Sequence, residues 1–269
     1  MAGTQLYTRK VMNKSGYVLE FPGVASMGEF YNGEASLNPY AQSLTQEFPL
    51  GTKLTNGERV WRYTRNGAGT PAAGDCLQGA AILHIDAQDD LLCSVAVAGA
   101  YEVELTGTAN TACAANYYKE GYLVINDAAG QGHSYKIKSH VACTGAATFK
   151  IQLYDPLIVG LTAATSEAGL CKNPFDAVIA TAAALSAIPI GVSPIALTAA
   201  YYFWAQTGGP CAVHAHAAAG IGVAAIVGTH AAAVDPNVDN ASTLQIIGWF
   251  MTPGIADTEH CLVFLTIDR

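Results

Sequence analysis

The segment Gly121-Tyr122-Leu123-Val124-Ile125-Asn126, followed across a glycine-containing loop by His133-Ser134-Tyr135-Lys136-Ile137-Lys138, decides the fold class. Side chains on a strand alternate between faces, and the second arm sets Tyr135 and Ile137 against Ser134, Lys136 and Lys138. Two such runs joined by a short loop with glycine read as a β-hairpin with one solvated face. The same period recurs outward from it. Arg59-Val60-Trp61-Arg62-Tyr63-Thr64 alternates and ends at Asn66-Gly67, Tyr101-Glu102-Val103-Glu104-Leu105 alternates again, and Phe149, Ile151 and Leu153 share one face of a further strand. Regular Gly, Pro and Asn punctuation between short strands predicts an all-β protein with a β-sandwich or barrel-like body.

Towards the C-terminus the pattern changes. Leu244-Gln245-Ile246-Ile247-Gly248-Trp249-Phe250 and Cys261-Leu262-Val263-Phe264-Leu265-Thr266-Ile267 are nearly apolar on both faces, which predicts strands buried on both sides. Residues 177–185 pit the helix preference of alanine against Val178, Ile179 and Thr181, and read as strand or irregular. Val60-Trp61-Arg62-Tyr63 before Gly67, and Tyr202-Phe203-Trp204-Ala205 before Gly208, echo one another and allow two related β sub-folds. Residues 1–50 carry no sustained period but many aromatics, as expected of an extended N-terminal arm ordered by lying across a neighbour. The expected organisation is this arm, a first β domain over 51–160, and a second, charge-poor and interface-forming, over 161–269.

Composition narrows function. Of the 269 residues 13% are charged, against about 25% in typical soluble proteins, and the net charge is −8. An acidic chain lacks the basic face of a phosphate-backbone binder, so no nucleic-acid partner is expected. Between Ala177 and Val234 there is no Asp, Glu, Lys or Arg. A membrane helix needs about 20 mainly apolar residues, but Pro189, Gly191, Pro194 and Gly208-Gly209-Pro210 interrupt the run. A contact region covered by protein neighbours, with no membrane, is the expectation. The seven cysteines are odd in number and form no C-x-x-C, and the N-terminal residues have no apolar signal core. Reduced thiols acting as small hydrophobes, and synthesis in the cytoplasm, follow.

Candidate chemistry is sparse. His214-Ala215-His216 would place two imidazoles on one strand face, where a metal could bridge them with His230 or Asp235 adding a ligand. The alanine-rich setting makes an interface role the stronger reading, and no metal or other cofactor is expected. Asp86-Ala87-Gln88-Asp89-Asp90 lacks the glycine and terminal Glu of a calcium loop and reads as a solvated turn. Gly67-Ala68-Gly69 and Gly130-Gln131-Gly132 are turn glycines, not phosphate loops. There is no G-x-S-x-G elbow and no recognisable catalytic cysteine context, so no catalytic residue is assigned. Arg59, Arg62 and Arg65 are read as partners for carboxylates.

The block from Pro49-Leu50-Gly51-Thr52 through Gly57-Glu58-Arg59-Val60-Trp61-Arg62-Tyr63 to Ala72-Ala73-Gly74 resembles a phrase of virion structural proteins of tailed bacteriophages. Further matching phrases are Glu120-Gly121-Tyr122-Leu123, Lys172-Asn173-Pro174-Phe175, Tyr201-Tyr202-Phe203-Trp204-Ala205-Gln206-Thr207-Gly208 and Ile247-Gly248-Trp249. The resemblance spans residues 49–269 and departs from the family at Cys211-Ala212-Val213-His214-Ala215-His216. It implies a non-enzymatic decoration protein that stabilises a capsid from outside, often as a homotrimer, with the major capsid protein as partner. Trp204, Tyr202, Phe203, His214, His216, Tyr31, Phe30 and Tyr40 are the expected interface residues. Alternatives are a tail, fibre or turret component, a carbohydrate-binding β-module using Trp61, Trp204 or Trp249, and a metal enzyme built on the histidine pair.

Overall fold

The computed structural model describes residues 11–14, 17–20, 37–237, 244–253 and 259–268. The chain is all-β: among the described residues there is no α-helix, hence none long and apolar enough to cross a membrane, and a single 3-10 turn at Ile85–Ala87. It divides into two compact units. Unit 2 is Ala81–Asn173, and unit 1 is Met1–Ala80 together with Pro174–Arg269. The expected boundary at 160/161 is therefore replaced by an insertion. Its physical basis lies in unit 1, where strands from before and after the insertion pair with one another, and where the backbone at Gly79 packs on that of Pro174.

Unit 2 comprises β7 (Leu91–Cys93), β8 (Glu102–Thr106), β9 (Tyr122–Asp127), β10 (Ser134–His140), β11 (Thr148–Leu153) and β12 (Glu167–Cys171). They close into an antiparallel barrel in the order β10-β11-β8-β7-β12-β9. The hairpin read from the sequence is β9–β10, with Tyr135 opposite Leu123. Inward positions follow the period of two: Leu123, Ile125, Tyr135, Ile137, Phe149, Ile151 and Leu153 are all buried in one cluster. Closure leaves the barrel without a free sheet edge.

Unit 1 contains β1 (Val11–Lys14), β2 (Tyr17–Glu20), β3 (Gln42–Ser43), β4 (Lys53–Asn56), β5 (Arg59–Arg65) and β6 (Cys76–Gln78). After the insertion come β13 (Ile179–Ala180), β14 (Pro189–Val192), β15 (Tyr202–His214), β16 (Ala224–Val227), β17 (Asp235–Pro236), β18 (Gln245–Phe250) and β19 (His260–Thr266). They form one antiparallel 13-stranded sheet whose main path is β1-β2-β4-β5-β15-β19-β18-β16-β17. Part of the expected arm belongs to this sheet: β1 and β2 form a hairpin, β2 pairs with β4, and Leu19 is fully buried. The remainder of residues 1–36 lies outside the described residues.

The long strand β15 organises unit 1. Its first half pairs with β5 and its second with β19, and Gly208 is flanked by Val60 on one side and Thr266 on the other. Trp204 faces Phe48, Leu54, Trp61 and Tyr63, while Phe203 and Ala205 face Leu77, Val178 and Ile190 in a second cluster. Phe203 to Gly209 are buried throughout, and a strand buried on both faces has no place for charge. For this part of β15 the lack of charge needs no covering neighbour. The echoing phrases are partners in this one sheet, with Trp204 opposite Tyr63.

Arg62 and Asp268 tie β5 to the chain end. The Arg62 guanidinium donates to both carboxylate oxygens of Asp268, at 2.5 and 2.9 Å, and to the Gly51 carbonyl at 2.9 Å. Thr207 Oγ1 donates to the same carboxylate at 3.0 Å. Burial acts to raise the Asp268 pKa, but the Arg62 hydrogen bond and charge, with Thr207, hold it below the usual value. A carboxyl whose folded pKa lies below the unfolded value of about 3.9 stabilises the fold above that pH, and the contribution is lost as pH falls through the folded value. Asp268→Asn should therefore cost about 2 kcal/mol at pH 7. In urea titrations the gap to wild type should close below about pH 4; a gap independent of pH would contradict this account.

Candidate functional site

The end of β15 gathers the histidines. Beyond His214 the chain makes a parallel bridge, Ala215 to Val234, with His216 N donating to the Val234 carbonyl at 3.0 Å and Val234 N to the His214 carbonyl at 2.9 Å. This places His216 beside Asp235 at the start of β17. The preceding turn brings back His230 and is pinned at Ala232, whose N–H donates to Thr181 and whose carbonyl accepts from Cys76, both at 2.8 Å.

The result is a compact His–Asp–His group. His216 Nδ1 lies 3.0 Å from one Asp235 oxygen and His230 Nδ1 lies 2.8 Å from the other. The Thr229 hydroxyl donates to the oxygen that His230 contacts. The two imidazoles stack with centroids 3.1 Å apart and planes 15° from parallel. Burial pushes the Asp235 pKa up, but the hydrogen bonds from Thr229, His230 and His216 outweigh it and hold the carboxyl below its ordinary value. An ionised carboxylate only accepts, so both Nδ1 atoms act as donors.

His214 does not join this group. Its Nδ1 lies 3.5 Å from Asp75 and its ring is 5.9 Å from that of His260, which donates from Nε2 to the Ala73 carbonyl at 3.0 Å. The i, i+2 spacing suggested a shared face, but β15 ends at His214, so the strand rule does not reach His216. His230 and Asp235 were legible as supplementary ligands. Asp75 and His260 were not, because only tertiary pairing brings them to His214.

The other expected interface residues divide. Trp204 and Phe203 are buried in their own unit and are core residues, which corrects that reading. Tyr202 is partly buried and stacks on Tyr63 at 5.8 Å. Tyr40 is exposed, and Phe30 and Tyr31 lie outside the described residues. Tyr63, Tyr202 and Trp204 help line a cleft of ≈ 210 Å³ with Gln42 and Glu47, below the about 300 Å³ at which drug-sized pockets begin.

Apolar surface appears elsewhere. β18 and β19 were expected to be buried on both faces, but each has one open face. Trp249, Phe264 and Pro210 form one cross-strand row, in which Trp249 is 46% and Phe264 40% exposed. Leu262 and Ala212 form the next row of that face. A bulge leaves Ile247 unpaired between Ile246 and Gly248, so that Ile246 is exposed as well. In unit 2 the paired loops at 95–100 and 157–161 expose Val95, Val97 and Ile158.

Two of the three arginines meet carboxylates: Arg62 as above, and Arg65 with Asp176 at 2.6 Å. Asp86 sits in the 3-10 turn and accepts from Thr108 and Asn110. All seven cysteines are free. Burial pushes the Cys93 and Cys211 thiols up to about 12 and Cys261 to about 11, leaving them protonated and weakly nucleophilic at neutral pH. Compared with models of protein families, with curated proteins and with solved structures, the chain matches none.

Proposed function

We propose that this chain is a non-enzymatic structural component of a phage particle, a decoration protein that binds the outside of the capsid and stabilises it through contacts between subunits. The observation that carries the reading is the open apolar face of β18, β19 and β15, where Trp249, Phe264 and Pro210 stand in register beside Leu262. Contiguous apolar surface of this kind marks contacts with other protein, and aromatic residues are enriched in such contacts. The resemblance of the phrases at residues 49–269 to those of virion proteins suggests the setting and the major capsid protein as partner. A second copy of the chain is the expected occupant of the face.

The double variant Trp249→Asp/Phe264→Asp tests this. Each side chain is already more than half covered, so completing its burial is worth only about 1 kcal/mol. The two carboxylates, which would have to be desolvated in the contact, bring the expected weakening of association to about 100-fold or more. Light scattering should give an oligomer, a trimer by the family resemblance, for the wild type and a monomer for the variant. Binding to undecorated capsids should fall in parallel. Unchanged mass and unchanged capsid binding in the variant would overturn the proposal. The exposure of Trp249 also favours a second reading, a carbohydrate-binding β-module on the virion. A glycan-array signal lost in Trp249→Ala, with subunit mass unchanged, would put that reading in place of the first.

A further inference from the structure

We propose that His216, His230 and Asp235 bind one divalent transition-metal ion, Zn2+ by donor type, at a site independent of the apolar face. One donor atom from each residue lies within 4.8 Å of the other two. Two imidazole nitrogens and one carboxylate oxygen match the three-protein-ligand sets of zinc sites that keep an open position. The nitrogen donors disfavour Ca2+ and Mg2+, which take oxygen, and the absence of a thiolate from the set disfavours Cu(I).

The spacing is within reach of one ion. Bonds of about 2.0–2.2 Å in tetrahedral geometry set ligand atoms about 3.3–3.6 Å apart. Here the two nitrogens lie 3.0 and 2.8 Å from different oxygens of one carboxylate. One donor atom from each residue lies within 4.8 Å of the others, so side-chain adjustment would bring the group to ligand spacing. Its geometry is fixed in advance: the bridge between Ala215 and Val234 holds His216 beside Asp235, and Ala232 anchors the turn that carries His230. Thr229 donates to the carboxylate oxygen that His230 contacts and helps to orient it, as outer hydrogen bonds do for metal-ligating groups.

Binding requires each imidazole to give up its Nδ1 proton, carrying one on Nε2 instead, so that both Nδ1 lone pairs and the carboxylate charge face the ion together. Access also exists, because the His230 side chain is 46% exposed and that of His216 32%, while Asp235 is 11% exposed. Water would complete the coordination. His214, Asp75 and His260 form the natural control, since His260 Nε2 is already committed to the Ala73 carbonyl.

The test uses the full-length chain without a histidine tag. Calorimetry with ZnCl2 and metal analysis after dialysis should give one ion per chain. Co2+ substitution should give visible absorption bands of a low-coordinate nitrogen–oxygen site, and Zn2+ should raise Tm. His216→Ala and His230→Ala should each weaken binding at least about 100-fold, more than the loss of an outer-shell partner. Both should remove the Co2+ bands, with circular dichroism unchanged. His214→Ala should bind as the wild type does. Absence of saturable one-to-one binding overturns the proposal. So does undiminished binding in the His216→Ala/His230→Ala double variant, or an equal loss in His214→Ala. None of these readouts involves the apolar face, so this site and the packing function stand or fall separately.

Discussion

Trp204→Ala is expected to lower the stability of unit 1 by about 3–5 kcal/mol, the range for emptying a large aromatic site in a packed core. Trp204 is 2% exposed. Its ring lies 5.1 Å from Tyr63 and 5.2 Å from Phe48, and the three share a cluster with Leu19, Leu54 and Trp61. Tyr63 and Trp61 on β5 and Leu54 on β4 sit on strands paired on both sides, which limits how far that side of the cavity can collapse. All three tryptophans belong to unit 1, so fluorescence from Trp61 and Trp249 still reports its unfolding in the variant. The urea midpoint should fall while the slope stays constant, the signature of lost stability without a change in exposed area. A loss below about 1 kcal/mol, typical of surface positions, accompanied by weakened association, would instead return Trp204 to an interface role.

That contrast between core and interface runs through what the sequence could tell. The barrel hairpin was legible because alternation is local: Leu123, Ile125, Tyr135 and Ile137 point inward as their spacing requires. Arg62 and Arg65 were legible as partners of carboxylates, although Asp268 and Asp176 could not be named from spacing. Burial was legible only in part. Charge-free sequence from residue 177 onward looked like a surface covered by neighbours, yet Phe203, Trp204 and Ala205 are enclosed by their own sheet. Apolar runs at 244–250 and 261–267 looked doubly buried, yet Trp249 and Phe264 face outward. Both errors have one cause. Apolar composition reports that a residue prefers to leave water, and long-range pairing decides whether its own chain provides the cover. The insertion of unit 2 is of the same kind, since the pairing of β5 with β15 spans the whole of it and leaves no local trace.

Gly169→Ala is the second large effect, and it isolates unit 2. Gly169 sits in β12 opposite Val124, between the core residues Ala168 and Leu170. A Cβ built there would stand 2.1 Å from the Gln88 carbonyl oxygen and 2.8 Å from its carbon. The obstacle is backbone, so no rotamer change relieves it. Gln88 closes the 3-10 turn by donating to the Ile85 carbonyl at 2.8 Å, and Ala87 in that turn is 1% exposed. Making room for one methyl group therefore means lifting the turn and Ala87 off the barrel core. About 3 kcal/mol or more should be lost, the upper range for overpacking against a rigid neighbour. Hydrogen exchange read by mass spectrometry resolves the location: protection should fall across β9, β10 and β12. Gly99→Ala supplies the comparison. Gly99 has φ +88 with nothing within 4 Å of the added carbon, so only the left-handed backbone penalty of about 1–2 kcal/mol applies. Equal losses in the two variants would mean that the close approach of β12 to Gln88 does not constrain the barrel. The expected ordering, with Gly169→Ala clearly the worse, ties barrel stability to that one backbone contact.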